Sequence, residues 1–184
     1  TRPSTEVNFL MTLLRRYLLT ETKRLMKRDI RVVAVGDLER LPVPVREALS
    51  HAVEVTGQNR AMTLAIALSY GGRQDIVRAA QKIGQAVAAG ELDPEAIDEQ
   101  VVASSLYTGE LPDPDLWIRT SGEIRISNCF LFQLAYAELY FTDTLWPDFR
   151  EREFLAALSA FQARERRFGG VIPAQSDQRL RAQN

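Results

Sequence analysis

The sequence contains almost no cysteine or histidine and has no excess of charge of one sign. A single cysteine, Cys129, excludes an internal disulfide and is typical of a reducing compartment, so we expect a cytoplasmic protein. With one cysteine and one histidine, His51, the chain cannot assemble a zinc site of thiolates and imidazoles. A formal net charge of −1, from 23 basic and 24 acidic residues, argues against a nucleic-acid-binding protein, because such binding needs a cationic surface.

Long apolar runs are also lacking. The longest, residues 129–141, is interrupted by Gln133 and Glu138 and is shorter than the roughly 20 residues of a membrane helix, so any membrane contact is expected to be peripheral. No charged leader followed by an apolar stretch opens the sequence, which argues against secretion. A chain of 184 residues, 46% of them hydrophobic, is long enough for one well-buried domain. We predict that domain over residues 1–172 and a flexible tail over 173–184.

Charge is unevenly distributed along the chain. Residues 1–28 carry seven basic and two acidic side chains, and residues 150–184 carry seven arginines and four acids, so the segment between them is acidic. Two interpretations remain open at this point. Either the basic ends bind an anionic ligand, or they form solvated helix faces.

Hydrophobic periodicity predicts helices that alternate with strands. The predicted helices cover residues 5–28, 43–58, 73–89, 94–103, 127–136 and 150–167, and the predicted strands cover 30–36, 62–70, 116–118 and 139–141. Asp93 and Ser127 are the expected N-caps of the fourth and fifth helices. The first two strands are apolar on both faces, as in a buried parallel sheet. The predicted fold is therefore α/β, with a mostly parallel central sheet flanked by helices on both faces.

The segment after the third predicted strand is suited to binding phosphate. Arg119 lies at the strand end, Arg125 follows across a glycine-containing loop, and Ser127 lies where a helix is predicted to begin. Parallel sheets bind ligands beyond the carboxyl ends of their strands, guanidinium groups match phosphate oxygens, and a helix N-terminus adds backbone donors. We interpret this segment as a diphosphate site. Spacing alone leaves the alternative that the arginines pair with local acids such as Glu123 or Glu110.

Two further features have two interpretations each. Glu138 interrupts an apolar stretch, so its charge needs a partner, which is either a metal ion or a local arginine. The Gly71-Gly72-Arg73 segment, at a strand-to-helix turn, either contacts phosphate or simply forms a tight turn. We interpret the second feature as structural.

Seven short motifs occur in a characteristic order along the chain. They are Arg2-Pro3, Ser69-Tyr70-Gly71-Gly72-Arg73, Arg119–Glu123, Arg125–Asn128, Ala135–Phe141, Leu145–Phe149 and Arg164–Gly170. Together they closely resemble the cis-prenyltransferases, and among these the bacterial undecaprenyl diphosphate synthases. The resemblance extends over nearly the whole chain up to the tail.

The resemblance implies an enzyme of isoprenoid and cell-wall biogenesis. Such an enzyme adds isopentenyl diphosphate units to an allylic diphosphate, similar to farnesyl diphosphate, and forms cis double bonds to give a long polyprenyl diphosphate lipid carrier. The resemblance further implies a homodimer, a requirement for Mg²⁺, and peripheral membrane contact for product release. It implies no role for nucleic acid.

The resemblance also implies roles for individual residues. Arg119, Arg125 and Ser127 match residues that bind the diphosphate of isopentenyl diphosphate, and Arg2 matches an arginine near the diphosphates. Arg167 and Gly169 belong to a C-terminal motif that reaches the partner subunit's active site, and Glu138 matches a residue that helps to bind Mg²⁺. The candidate residues for a tunnel that holds the growing chain are Leu10, Leu14, Val32, Met62 and Leu64. Ordinary core packing is the alternative for these five.

One departure from the family pattern is serious. The family begins with a strand and a phosphate-binding loop that carries its catalytic Asp, and neither is found in this sequence. We therefore expect an N-terminally truncated form of the fold that contains no catalytic residue and is inactive alone. The alternative is a non-catalytic partner subunit that supplies its C-terminal motif in trans. The trans-type synthases are excluded, because no Asp-Asp-x-x-Asp motif occurs.

Overall fold

Five α-helices and four strands make up residues 4–164, the part of the chain that the computed structural model describes. In chain order they are α1 (Ser4–Lys27), β1 (Ile30–Val35), α2 (Val43–Thr56), β2 (Met62–Ala67), α3 (Gly72–Ala88), α4 (Glu99–Ser105), β3 (Leu116–Arg119), β4 (Glu138–Phe141) and α5 (Glu151–Gln162). The described residues divide into two units. The first runs to Pro112 and includes Ser127–Phe132, and the second contains Asp113–Ile126 and the residues from Gln133 onward.

The first unit is built around the parallel pair β1 and β2. Ile30 pairs with Met62, and the register continues to Val35 and Ala67. Helix α2 provides the crossover that a parallel pair requires. Helices α1 and α2 pack together over an apolar core formed by Leu18, Leu41, Val45, Ala48, Leu49 and Ala52. Burial of this shared face, not helix propensity alone, therefore stabilises both helices.

The second unit is built around the parallel pair β3 and β4. Leu116 pairs with Glu138, and the register continues to Arg119 and Phe141. The Thr142 amide, just beyond β4, donates a hydrogen bond of 3.0 Å to the Arg119 carbonyl. Helix α5 packs against β4. The end of β3 is thereby held beside the end of β4.

Parallel pairing of the strands is confirmed, but the described residues do not form the single sheet that we expected. Within residues 4–164, β1 pairs with β2 and β3 pairs with β4, so two separate two-stranded sheets result. Each pair joins strands that are consecutive in the chain. Strand β2 also differs from the buried strand that was predicted, since Met62 is 52% exposed and Leu64 is 38% exposed. Helices α1 and α2 pack against β1, whereas no described helix packs against β2 to a similar extent, so these β2 side chains are not covered.

Two predicted helices have different structures. Residues 127–136 form turns, because Ser127, Asn128 and Phe130 adopt left-handed conformations with φ of 48°, 61° and 47°. Ser127 is therefore not the N-cap of a helix. The helix predicted over residues 94–103 is divided into a short 3₁₀ turn, which Asp93 caps, and α4, which Asp98 caps. Because the Asp98 side chain caps α4, this helix begins at Glu99, five residues after the predicted start.

Thr56 links helix α2 to strand β1 and provides a test of the first unit. Its fully buried hydroxyl accepts a hydrogen bond from the Val32 amide at 2.9 Å and donates one to the Ala52 carbonyl at 2.7 Å. The nearly isosteric change Thr56→Val leaves the Val32 amide buried without an acceptor. We expect the free energy of unfolding, measured by urea denaturation, to fall by about 1–3 kcal/mol.

The exposed Thr12 in α1 is the matched control for this change, since its hydroxyl donates to the Asn8 carbonyl at 2.9 Å on the helix surface. Thr12→Val is expected to change the free energy of unfolding by less than about 0.5 kcal/mol. Equal effects of the two substitutions would contradict the assigned role of Thr56.

Candidate functional site

A cavity of about 850 Å³ lies at the carboxyl ends of β1 and β2 in the first unit. Asp37, which follows β1, and Ser69, which follows β2, both line it. Arg40, Arg78 and Tyr107 contribute further polar side chains. This is the edge of a parallel sheet at which ligands bind in open α/β folds. The cavity is therefore the candidate ligand pocket of the first unit.

Arg78 and Tyr107 form a cation–π pair in the wall of this cavity. The guanidinium carbon lies 4.1 Å from the centre of the Tyr107 ring, and Arg78 Nη1 donates to the Ser105 carbonyl at 3.1 Å. Asp75, which is 1% exposed, accepts a hydrogen bond from the Tyr107 amide at 2.9 Å. Burial raises the pKa of the Tyr107 hydroxyl, the Arg78 cation opposes the shift, and the Asp37 and Asp75 carboxylates add to it. The Arg78 guanidinium thus lies over the face of the Tyr107 ring in the cavity wall.

Sequence reasoning named Ser69, Tyr70, Gly71 and Asn128 within family motifs but missed the charged residues and Tyr107 of this cavity. Asp37 stands directly after a predicted strand and was a usable signal, since polar residues at strand ends mark ligand sites. Arg78 and Tyr107 had no such signal. Tyr107 follows α4, and contacts with residues distant in the sequence hold it at the cavity, since Asp75 accepts its amide hydrogen bond and Arg78 lies over its ring.

Arg119 ends β3 in the second unit, as predicted. Its side chain is half-buried, and its guanidinium makes no hydrogen bond or ion pair within the described part of the chain. The loop that follows is tied to the segment after β4, because Ser121 N donates to Thr144 O at 2.9 Å and Gly122 N donates to Thr142 O at 3.0 Å. The ends of both strands are therefore fixed, and Arg119 is a cation available to a ligand.

Arg125 forms an ion pair with Glu123, the local acid that the alternative interpretation named. The Arg125 side chain is 61% exposed and that of Glu123 is 37% exposed. Exposed pairs of this kind contribute little to stability, typically under about 1 kcal/mol. A diphosphate could therefore displace Glu123 at small cost, and the phosphate role of Arg125 stays a prediction.

Glu138 is paired with an arginine, although this arginine is 26 residues away in the sequence and not the local one that was weighed against a metal ion. Arg164 Nη1 donates to Glu138 Oε2 at 2.8 Å and to the Leu139 carbonyl at 3.0 Å. Within residues 4–164, no group of three aspartate, glutamate, histidine or cysteine side chains is placed to hold a metal ion. Mg²⁺ usually keeps several water ligands and takes one or two carboxylates together with phosphate oxygens. Metal binding by Glu138 therefore stays a prediction.

The remaining predicted residues have varied positions. Ser127 is exposed in the first unit, and its hydroxyl makes no hydrogen bond within residues 4–164. Arg2, Arg167, Gly169 and the tail over 173–184 lie outside the described residues.

The five tunnel candidates do not share one environment. Val32 is fully buried, Leu10 and Leu14 are half-buried, and Met62 and Leu64 are exposed. None of them lines the cavity beside Asp37 and Tyr107. Leu14 packs against the apolar core, as the alternative proposed. Their role as a tunnel stays a prediction.

Comparison with known proteins decides the family. The sequence profile of the family described as "Putative undecaprenyl diphosphate synthase" matches residues 1–169. The chain belongs to this family. The resemblance to cis-prenyltransferases that the seven motifs indicated is thereby confirmed.

Individual relatives agree with this membership. The isoprenyl transferase of Chlorobaculum tepidum is 51% identical over 168 residues, which are 91% of this chain and 63% of that protein. The isoprenyl transferase of Bacillus subtilis is 49% identical over 170 residues, which are 92% of this chain and 65% of that protein. The chain thus spans about two thirds of the length of these prenyltransferase-family relatives.

Two solved structures resemble the fold of this chain. The lavandulyl diphosphate synthase of Lavandula x intermedia, solved in complex with dimethylallyl diphosphate, matches with a TM-score of 0.89 and 43% identity, over 92% of this chain and 73% of that one. A probable undecaprenyl diphosphate synthase from Campylobacter jejuni matches with a TM-score of 0.80 and 36% identity, over 91% of this chain and 76% of that one. The mixed α/β architecture with parallel strands is therefore that of the prenyltransferase family.

Proposed function

We propose that this chain takes part in prenyl transfer, in which isopentenyl diphosphate units are added to an allylic diphosphate with formation of cis double bonds. The product would be a long polyprenyl diphosphate. The observation that carries the proposal is the family match over residues 1–169, supported by relatives that are about half identical and are named isoprenyl transferases. We further propose that residues 1–172 are one domain, part of a family fold with a single parallel sheet.

Arg119, Arg125 and Ser127 are proposed to bind the diphosphate of isopentenyl diphosphate. The role is best supported for Arg119, because its guanidinium has no hydrogen-bond or ion-pair partner within residues 4–164. A guanidinium can donate two parallel hydrogen bonds to phosphate oxygens, which a lysine cannot do. Arg2, Arg167 and Gly169 are proposed to contribute from the chain ends.

No step of the proposed reaction is assigned to Mg²⁺. The family resemblance implies the ion, but Glu138 is paired with Arg164 and no cluster of potential metal ligands accompanies it in the described residues. Within residues 4–164, Glu138 is the carboxylate that we propose for a metal site. A divalent cation would then be held largely by diphosphate oxygens and water.

The chain is proposed to bind substrate without completing the condensation. It spans only 63% and 65% of two isoprenyl transferases that it matches, and its sequence does not contain the phosphate-binding loop with the catalytic Asp that the family pattern implies. The same observation favours the second candidate function, a non-catalytic subunit of a prenyltransferase complex that supplies its C-terminal motif in trans. A homodimer is proposed from the family, with analytical ultracentrifugation as its test.

Membrane contact is proposed to be peripheral. No helix within residues 4–164 is both long and apolar enough to cross a bilayer. A polyprenyl product is itself a lipid, so release at a membrane surface agrees with its chemistry.

One experiment tests the function and the proposed inactivity together. The purified chain is titrated with isopentenyl diphosphate in a calorimeter, and then incubated with farnesyl diphosphate, isopentenyl diphosphate and Mg²⁺ while mass spectrometry follows the products. We expect binding without elongated product, with the isoprenyl transferase of Bacillus subtilis as the positive control. Abundant product would refute the inactivity, and a chain that binds no isopentenyl diphosphate would refute the prenyl-transfer role.

A further inference from the structure

Helix α3 is capped by a residue from a distant part of the chain. Its own N-cap position, Gly71, has no side chain with which to accept the free amides of the first turn. Asn128 supplies the missing acceptors. Its carbonyl accepts the Gly72 amide at 2.7 Å, and its Oδ1 accepts the Arg73 amide at 2.9 Å. Asn128 Nδ2 also donates to Gln74 Oε1 at 3.2 Å.

This contact explains the two glycines that precede the helix. A Cβ on Gly71 would lie 2.5 Å from Gln74 Oε1 and 2.9 Å from Asn128 Nδ2. A Cβ on Gly72 would lie 2.7 Å from Leu131 Cγ. Real Cβ atoms essentially never come so close, so the neighbouring side chains would have to shift. The glycine pair therefore lets the segment around Asn128 lie directly against the start of α3. From the sequence alone, these glycines are interpreted only as a tight turn.

The capped segment carries Ser127, a residue proposed to bind diphosphate. Ser127 and Asn128 both have left-handed backbone conformations, with φ of 48° and 61°. Residues other than glycine adopt this conformation at an energetic cost. The Ser127 hydroxyl makes no hydrogen bond within residues 4–164, so its position depends on the backbone beside it. Three hydrogen bonds hold the next residue in place.

We propose that Asn128 is a positioning residue, which by capping α3 holds Ser127 in the conformation that binds the diphosphate. The inference rests on the proposed function, since it assumes that Ser127 contacts substrate. A ligand group that is already held in its bound conformation does not lose conformational freedom on binding. Removal of the Asn128 side chain should therefore weaken binding even if the chain stays folded.

The test uses Asn128→Gly, because glycine accepts the left-handed φ and only the side-chain hydrogen bonds are lost. We expect the Kd of the chain for isopentenyl diphosphate, measured by calorimetry, to rise about fivefold. This factor corresponds to the free energy that one helix N-cap typically contributes. Hydrogen exchange of the Arg73 amide should accelerate. Asn128→Asp retains the Oδ acceptor, so the Arg73 amide should stay protected from exchange. The Kd of this variant should lie within about threefold of the wild-type Kd.

Two control variants separate positioning from general stability. Asp98→Gly removes the cap of α4, whose Oδ1 accepts the Val101 amide at 2.8 Å in the same unit, and it should leave the affinity unchanged. Gln74→Ala removes only the Nδ2 partner of Asn128 and should have a smaller effect than Asn128→Gly.

Several outcomes would overturn the inference. An unchanged affinity of Asn128→Gly would do so, and so would equal losses in Asn128→Gly and Asp98→Gly. If the wild-type chain binds no isopentenyl diphosphate, the proposed function fails, and the positioning role fails with it. Exchange of the Arg73 amide still reports then whether Asn128 caps α3, so the two failures are distinguishable.

Discussion

Replacement of Arg119 by alanine is expected to weaken binding of isopentenyl diphosphate to this chain by roughly 10- to 100-fold, since each hydrogen bond between charged groups contributes about 1.5–3 kcal/mol. The half-buried guanidinium has no partner within residues 4–164 that would compete with the ligand. It lies on a strand end held by the Thr142 amide, so the site does not have to form when the ligand arrives. Calorimetric titration of the purified chain measures the effect.

Two comparison variants make this result specific. Arg119→Lys keeps the charge but loses the planar fork, so an intermediate loss is expected. Arg152→Ala removes a cation from the same unit whose side chain is 93% exposed and paired with Glu153, and it should leave the affinity unchanged. If Arg119→Ala bound isopentenyl diphosphate as tightly as the wild type, Arg119 would not be a diphosphate ligand.

The largest expected effect on stability comes from Gly36→Ala. Gly36 has a φ of 121°, a conformation that residues with a side chain rarely adopt, and an added Cβ would collide with the Leu68 carbonyl oxygen. Backbone strain and overpacking each cost about 1–3 kcal/mol, so we expect the free energy of unfolding to fall by roughly 3–5 kcal/mol. Urea denaturation followed by circular dichroism measures this loss.

Gly84→Ala is the matched control for this substitution. Gly84 lies inside α3 with an ordinary backbone conformation, and an added Cβ would meet nothing within 4 Å. Alanine is the better helix former by about 0.5–1 kcal/mol, so the control should raise the free energy of unfolding. The same substitution is therefore expected to have opposite signs at the two glycines. If Gly36→Ala left the free energy of unfolding unchanged, the prediction would be wrong, and the backbone at the end of β1 would have to adapt to the added Cβ.

Prediction from the sequence succeeded where local pattern and tertiary packing agree. The apolar spacing of α1 and α2 reflects the faces that meet in one core, so both helices lie within two residues of their predicted bounds. It failed over residues 127–136, where a helical pattern of apolar residues is overridden by left-handed backbone at Ser127, Asn128 and Phe130. Contacts made with a distant segment favour that conformation, and no local signal reports them.

In the candidate site, too, features with a local sequence signal were predicted and those set by long-range contacts were not. Arg119 was correctly placed at a strand end, because a short apolar run followed by a polar turn is a local signal. The ion pairs of Arg125 and Glu138 were named as alternatives, but spacing could not decide whether they form. Arg78 and Tyr107 were not identified, since they come together only where α3 meets the segment after α4 in the tertiary structure.

The sequence by itself determined the family, the order of the four parallel strands, and the residue types available to bind a diphosphate, because each is a property of short segments. Only the tertiary structure decided which of those segments face one another. The cap of α3 by Asn128, 55 residues away from Arg73, is of this second kind. A hydrogen bond requires its donor and acceptor within about 3 Å, and over such a sequence separation the fold of the chain between them sets that distance.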